Sequence, residues 1–167
     1  MADSLPSPSP KAQIVLDYDR TEFRFPGVYM MSFKAWPIKL TPGIPHGVRY
    51  AFNLFAPDAQ GTPNNPILRF DNEHAPSAVK YPYDHWHPPR RGPGGWPIGE
   101  GDDQPLTADL ADLPVIFLEK SYALLEEMGV DISGGIKTVA PSRVVGIDKG
   151  PSPVKPSAAK AKIRRKK

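Results

Sequence analysis

The chain contains no cysteine, which excludes disulfides, thiolate zinc sites and a cysteine nucleophile together. It has no apolar run near the ~18 residues that a spanning helix requires. No Gly-X-Y period occurs, so collagen is excluded, and no internal repeat is found. Met1-Ala2-Asp3-Ser4-Leu5 offers neither a basic start nor an apolar stretch. No secretion signal is therefore expected, and a cytoplasmic protein is predicted.

Proline is abundant instead. The 22 prolines and 14 glycines among 167 residues make 36 positions that resist regular structure, and proline alone exceeds the average of ~5% more than twofold. Hydrophobic residues still supply 40% of the chain, enough for one core in a chain of about one domain's length. The net charge of +3 is unevenly placed: from Lys149 onward there are eight basic residues and no acidic one. Positions 1–148 therefore hold 13 basic against 18 acidic residues, a net of −5. A nucleic-acid-binding domain carries its positive charge on the folded face, whereas here it sits in the tail, which would lend salt-sensitive affinity for RNA or an acidic partner.

Four strand-like runs are legible. In Gln13–Asp19, Ile14, Leu16 and Tyr18 alternate with period two. Glu22–Ile38 is broken at Pro26-Gly27 and is rich in β-branched and aromatic residues in its later part. Val48–Phe55 places Val48, Tyr50, Phe52 and Leu54 on one face, and Ile67–Phe70 follows a turn over 58–66. After residue 107 the period changes: Val115, Leu118, Tyr122 and Leu125, widened by Phe117, Leu124 and Met128, form a helical stripe. Asp112 and Pro114 suit its entry and Gly129 its C-terminal cap. Val144, Val145 and Ile147 would add a last short strand. These elements predict an α+β domain: an antiparallel meander of four to six strands with one main helix packed on a face. The domain is expected over 11–147, with a Pro/Ser-rich disordered lead at 1–10, a long Pro/Gly-rich loop at 73–105 and a disordered basic tail at 148–167.

The chemistry-bearing residues cluster in that loop. His74, His85 and His87 follow Asp71-Asn72-Glu73, with Tyr81, Tyr83, Asp84 and Trp86 interleaved and Arg90 and Arg91 next. If residues 84–87 are extended, His85 and His87 project to the same side. Two imidazoles can then serve as general acid and general base, and a guanidinium can stabilise a phosphorane, as metal-independent RNA cleavage requires. Two other readings stay open. The pair with Asp71, Glu73 or His74 offers nitrogen and oxygen ligands for zinc or manganese. Alternatively, the histidines are loop residues bonded to nearby backbone, with Trp86 and Tyr83 pinning the loop to the core. The glycine run Arg91-Gly92-Pro93-Gly94-Gly95-Trp96 is not a phosphate-cradling loop, because no strand-then-helix context surrounds it.

Leu68-Arg69-Phe70-Asp71-Asn72-Glu73, His85-Trp86-His87 and Arg49-Tyr50-Ala51-Phe52-Asn53-Leu54, with the closing amphipathic helix, resemble the TumE-type toxins of bacterial and archaeal toxin–antitoxin pairs. The likeness spans roughly residues 28–130. Twelve residues separate Asn72 from His85, and the Pro/Gly stretch after His87 reads as an insertion to the family pattern. The resemblance implies a growth-inhibiting toxin neutralised by a DNA-binding helix-turn-helix antitoxin.

The leading expectation is thus a toxin acting on RNA without metal or other cofactor. His85 and His87 form the acid–base pair, Asp71 orients one imidazole, Arg90 or Arg91 contacts phosphate, and Asn72 and Trp86 help to bind substrate. The competing expectations are an interaction module docking through Tyr81, Tyr83, Trp86 and Trp96, with the basic tail as tether, and a metal-dependent hydrolase.

Overall fold

The computed structural model describes residues 7–73 and 83–139. The strand expected around Val144–Ile147, the basic tail, His74, Tyr81 and most of the N-terminal lead lie outside these residues.

The first element corrects the sequence reading. Gln13–Asp19 is not a strand; Pro10–Leu16 is a helix, α1. Ser9 Oγ accepts from the Ala12 amide at 3.1 Å and Pro10 opens the first turn, a start that the capping residue and the fixed proline φ both favour. Ala12 and Val15, three residues apart, face the core, while Ile14 is exposed. Helical spacing wins over the apparent alternation.

The remaining runs build an antiparallel sheet. Strands β1 (Thr21–Phe25) and β2 (Tyr29–Pro37) form a hairpin with Phe25 opposite Tyr29. Its turn passes through Gly27 at φ 87°, a left-handed conformation that glycine adopts without a Cβ penalty. β3 (Val48–Pro57) pairs with β2, and β4 (Pro63–Asp71) pairs with β3, extending into the segment expected to be a turn.

The stretch 83–105 is also paired. It carries β5 (His85–His87), β6 (Pro89–Arg91), β7 (Pro97–Glu100) and β8 (Gln104–Pro105). Strands of two to four residues between prolines show no periodicity to read. β5 adds to β4 and β8 to β5, while β6 and β7 make a separate hairpin. With β9 (Ile136–Val139) on β1, the main sheet has, among the described residues, seven strands in the order β8-β5-β4-β3-β2-β1-β9. The expected α+β architecture thus holds, with short strands extending the meander at both edges.

One face of the sheet carries the core. Phe33, Tyr50, Phe52, Leu54, Leu68 and Phe70 are buried on it. Helix α2 (Leu113–Glu127) lies across them, and Phe117 meets Phe33, Phe52 and Phe70 at ring-centroid distances of 5.4, 5.7 and 5.2 Å. Gly129, at φ 77°, follows the helix as expected. The buried stripe is Leu113, Pro114, Phe117, Ser121, Leu124 and Leu125, and Val115 is exposed. The helix is therefore rotated from the predicted stripe: Phe117, on its flank in the prediction, is central in the core, and Val115 turns outward. Among the described residues no helix is long and apolar enough to cross a membrane.

Candidate functional site

The site follows from strand register. Across β4 and β5, Asp71 pairs with His85 and Arg69 with His87. Side chains alternate between faces along a strand, so all four share one face. Phe70 and Trp86, between them, share the other. Trp86 packs on Phe70 with ring centroids 5.9 Å apart, and Lys120 Nζ stands 4.8 Å from its ring. Trp86 is therefore part of the α2 side and does not reach the histidine face, which corrects its expected role in substrate binding.

Asp71 and His85 have no accessible surface, and His87 is 8% exposed. One donor atom from each of the three lies within 4.8 Å of the others. Both nitrogens of His85 meet oxygen acceptors: Nδ1 stands 2.6 Å from the Tyr83 carbonyl and Nε2 2.7 Å from Asp71 Oδ1. The charged form of the ring carries hydrogen on both nitrogens. Burial opposes that charge, but the hydrogen bonds to Asp71 and the Tyr83 carbonyl outweigh it and hold His85 above its ordinary value. Asp71 in turn receives Arg69 Nε on Oδ2, so its carboxylate lies between a guanidinium and the His85 imidazole.

His87 donates Nδ1–H to the Gly101 carbonyl at 2.9 Å. That bond selects the tautomer whose lone pair is on Nε2. It requires a close approach of the chain at Gly101, where the amide donates to the Pro88 carbonyl at 2.6 Å and a Cβ would lie 2.8 Å from that same oxygen. The two imidazole rings are edge to face with centroids 5.1 Å apart. Around them, Glu100 Oε1 is 4.0 Å from His87 Nδ1, and Glu73 links Arg69 at 3.7 Å to Lys34 at 3.8 Å. The face is a graded polar surface with its driest groups at the β4–β5 pairing.

Other expected site residues serve the fold. Asn72 is buried, accepts from the Tyr50 amide and donates to the Val48 carbonyl, each at 2.9 Å, and so continues the β3–β4 pairing past the end of β4. Arg91 bonds Glu127 and the Gly95 carbonyl, and Arg90 lies over Gly99, where a Cβ would meet its guanidinium at 2.7 Å. Among the described residues, Arg69 is a cation bonded to the cluster, quoted in the sequence only as part of a strand motif. Sequence reading also missed a second polar group. Asp84 accepts from His46 Nε2 at 3.2 Å, Tyr50 Oη at 3.0 Å and Asn72 Nδ2 at 3.4 Å. It ties the loop before β3 to the start of β5 and so fixes where the His85 strand begins. No local pattern marks His46 or Asp84, because the partners are 38 residues apart.

Compared with known proteins, the chain matches no family model, no curated protein and no solved structure.

Proposed function

We propose that the chain is a toxin of the TumE type, one half of a toxin–antitoxin pair, that cleaves RNA at the Asp71–His85–His87 cluster. The reading is supported by one observation above the rest: the three side chains meet on a single sheet face although Asp71 and His85 are 14 residues apart in the chain. The strand motif and the His-x-His motif that carry the resemblance are adjacent strands.

In this reading His87, the imidazole of the pair that retains some accessible surface, takes the proton of a ribose 2′-hydroxyl once substrate binding uncovers its Nε2, which is buried in the free chain. The 2′-oxygen bonds to phosphorus as the bond to the 5′-oxygen breaks, and water protonates the leaving oxygen. The products are a 2′,3′-cyclic phosphate and a 5′-hydroxyl. His85 has no surface, so it acts through its charge on His87 and the phosphate rather than by touching substrate. Arg69, with a side chain 21% exposed, is the guanidinium that meets the phosphorane, in place of Arg90 or Arg91. The partner is a helix-turn-helix antitoxin and the site of action is the cytoplasm.

The test is growth arrest and RNA integrity on expression of wild type, His87→Ala and His85→Ala, with cleaved ends analysed. His87→Ala is expected to abolish arrest and cyclic-phosphate ends. Undiminished arrest by both variants would remove the assignment.

A further inference from the structure

We infer that Asp71, His85 and His87 form a binding site for a divalent transition-metal ion of the zinc class. The inference rests on the reading above in one respect, that this cluster is the reaction centre, and adds how that centre is regulated.

The ligand set comes first. Two imidazoles and one carboxylate suit zinc and its neighbours, whereas magnesium and calcium favour all-oxygen sites. Zinc-ligand bonds of ~2.0–2.1 Å place the donors of one tetrahedral ion roughly 3.3 Å apart. Asp71 Oδ1 and His85 Nε2 are 2.7 Å apart and the whole set lies within 4.8 Å. Coordination therefore requires the first distance to open and the longer ones to close by an ångström or so.

The tethers come second. Metal-binding histidines characteristically donate their other N–H to a carbonyl or carboxylate, which fixes the ring and its tautomer. Both histidines do so here, His85 to the Tyr83 carbonyl at 2.6 Å and His87 to the Gly101 carbonyl at 2.9 Å. The non-ligating oxygen of Asp71 is held by Arg69. All three candidate ligands thus have their second polar atom anchored, and all three stand on the paired strands β4 and β5. A simple buried ion pair accounts for Asp71 and His85 but gives no reason for the matching anchor on His87.

Coordination uses Asp71 Oδ1 and His85 Nε2, which stand 2.7 Å apart, so a proton carried on Nε2 has to leave as the ion enters. It also uses the His87 lone pair that would accept the 2′-hydroxyl proton. The ion and the acid–base reaction are mutually exclusive, and metal occupancy holds the centre silent.

The test uses the full-length chain, stripped of metal and titrated with cobalt(II). One ion per chain with the visible ligand-field bands of a low-symmetry site is expected, displaced by zinc. His87→Ala is expected to weaken binding at least tenfold, with circular dichroism confirming the fold, and Arg91→Ala to leave it unchanged. Absence of a one-to-one spectrum, or one indifferent to His87→Ala, would overturn the proposal. Cleavage of RNA is assayed in the same samples. If cleavage appears only when zinc is added, the silencing role and the acid–base reading both fall while the site stands. If the metal-free chain cleaves but binds no cobalt, the reverse holds.

Discussion

Asp71 and His85 stand opposite each other on β4 and β5, with Oδ1 and Nε2 2.7 Å apart and no accessible surface on either residue. Removing one member of such a pair leaves the other's charge buried, which costs about 3–5 kcal/mol, whereas replacing both is far milder. Asp71→Asn in metal-free protein is therefore expected to lower unfolding free energy by about that amount. Adding His85→Leu to Asp71→Asn should restore part of the loss. Urea denaturation of the two single variants and the double variant reads the coupling. Additive losses would mean that the two groups stabilise the fold independently.

Part of this arrangement was legible in the sequence. Period-two spacing puts His85 and His87 on one side of any extended segment, and they do share a face. Alternation likewise marks Val48–Phe55 as a strand, because both its neighbours and its core face are regular. Register was not legible. Nothing local says that Asp71 stands opposite His85, since that pairing depends on strands joined through 72–84. The same limit hid Arg69 and Asp84. Helix α1 was misread because seven residues make too short a window for helical and strand periods to separate, and Ser9 with Pro10 was the better signal.

Tyr50 gives the fold an alkaline limit. Burial first, then the charge of Asp84 and the hydrogen bond to it, hold its hydroxyl well above the ordinary tyrosine value. In the unfolded chain the hydroxyl ionises near pH ~10. Above that point the unfolded state has released a proton that the folded state keeps, so stability falls as pH rises. Below it, the contribution is fully present. The urea midpoint of the wild type should decline between about pH 9 and about pH 11, and that of Tyr50→Phe should decline less steeply. Equal slopes would remove Tyr50 as the cause.

Val115, on the predicted stripe, separates the observed helix orientation from the one predicted by periodicity, with Phe117 as the buried reference. Phe117 is fully buried against three aromatic rings, and Val115 is half exposed. Phe117→Ala should cost about 3–5 kcal/mol, through lost transfer energy and the cavity it leaves. Val115→Ala should stay within about 0.5 kcal/mol. Thermal unfolding of both variants checks the ranking. Comparable losses would place Val115 in the core after all.

Arg69 and Arg91 give the sharpest contrast for the proposed activity. Arg91 bonds Glu127 on the surface, their side chains 41% and 44% exposed, while Arg69 bonds the buried Asp71. A solvent-exposed pair contributes about 0–1 kcal/mol, so Arg91→Ala should barely move stability or RNA cleavage. Arg69→Met keeps much of the apolar stem and removes the charge, leaving Asp71 with His85 alone. If the guanidinium meets the developing phosphorane, cleavage should fall about 10²-fold in kcat with little change in KM, as when one oxyanion donor is deleted. Arg69→Lys should recover only part of it, because a point charge cannot bond Asp71 and phosphate in the same planar fork. Single-turnover cleavage of a short RNA measures all three variants. An Arg91→Ala defect equal to that of Arg69→Met would move the phosphate contact from the sheet face to the β6–β7 hairpin.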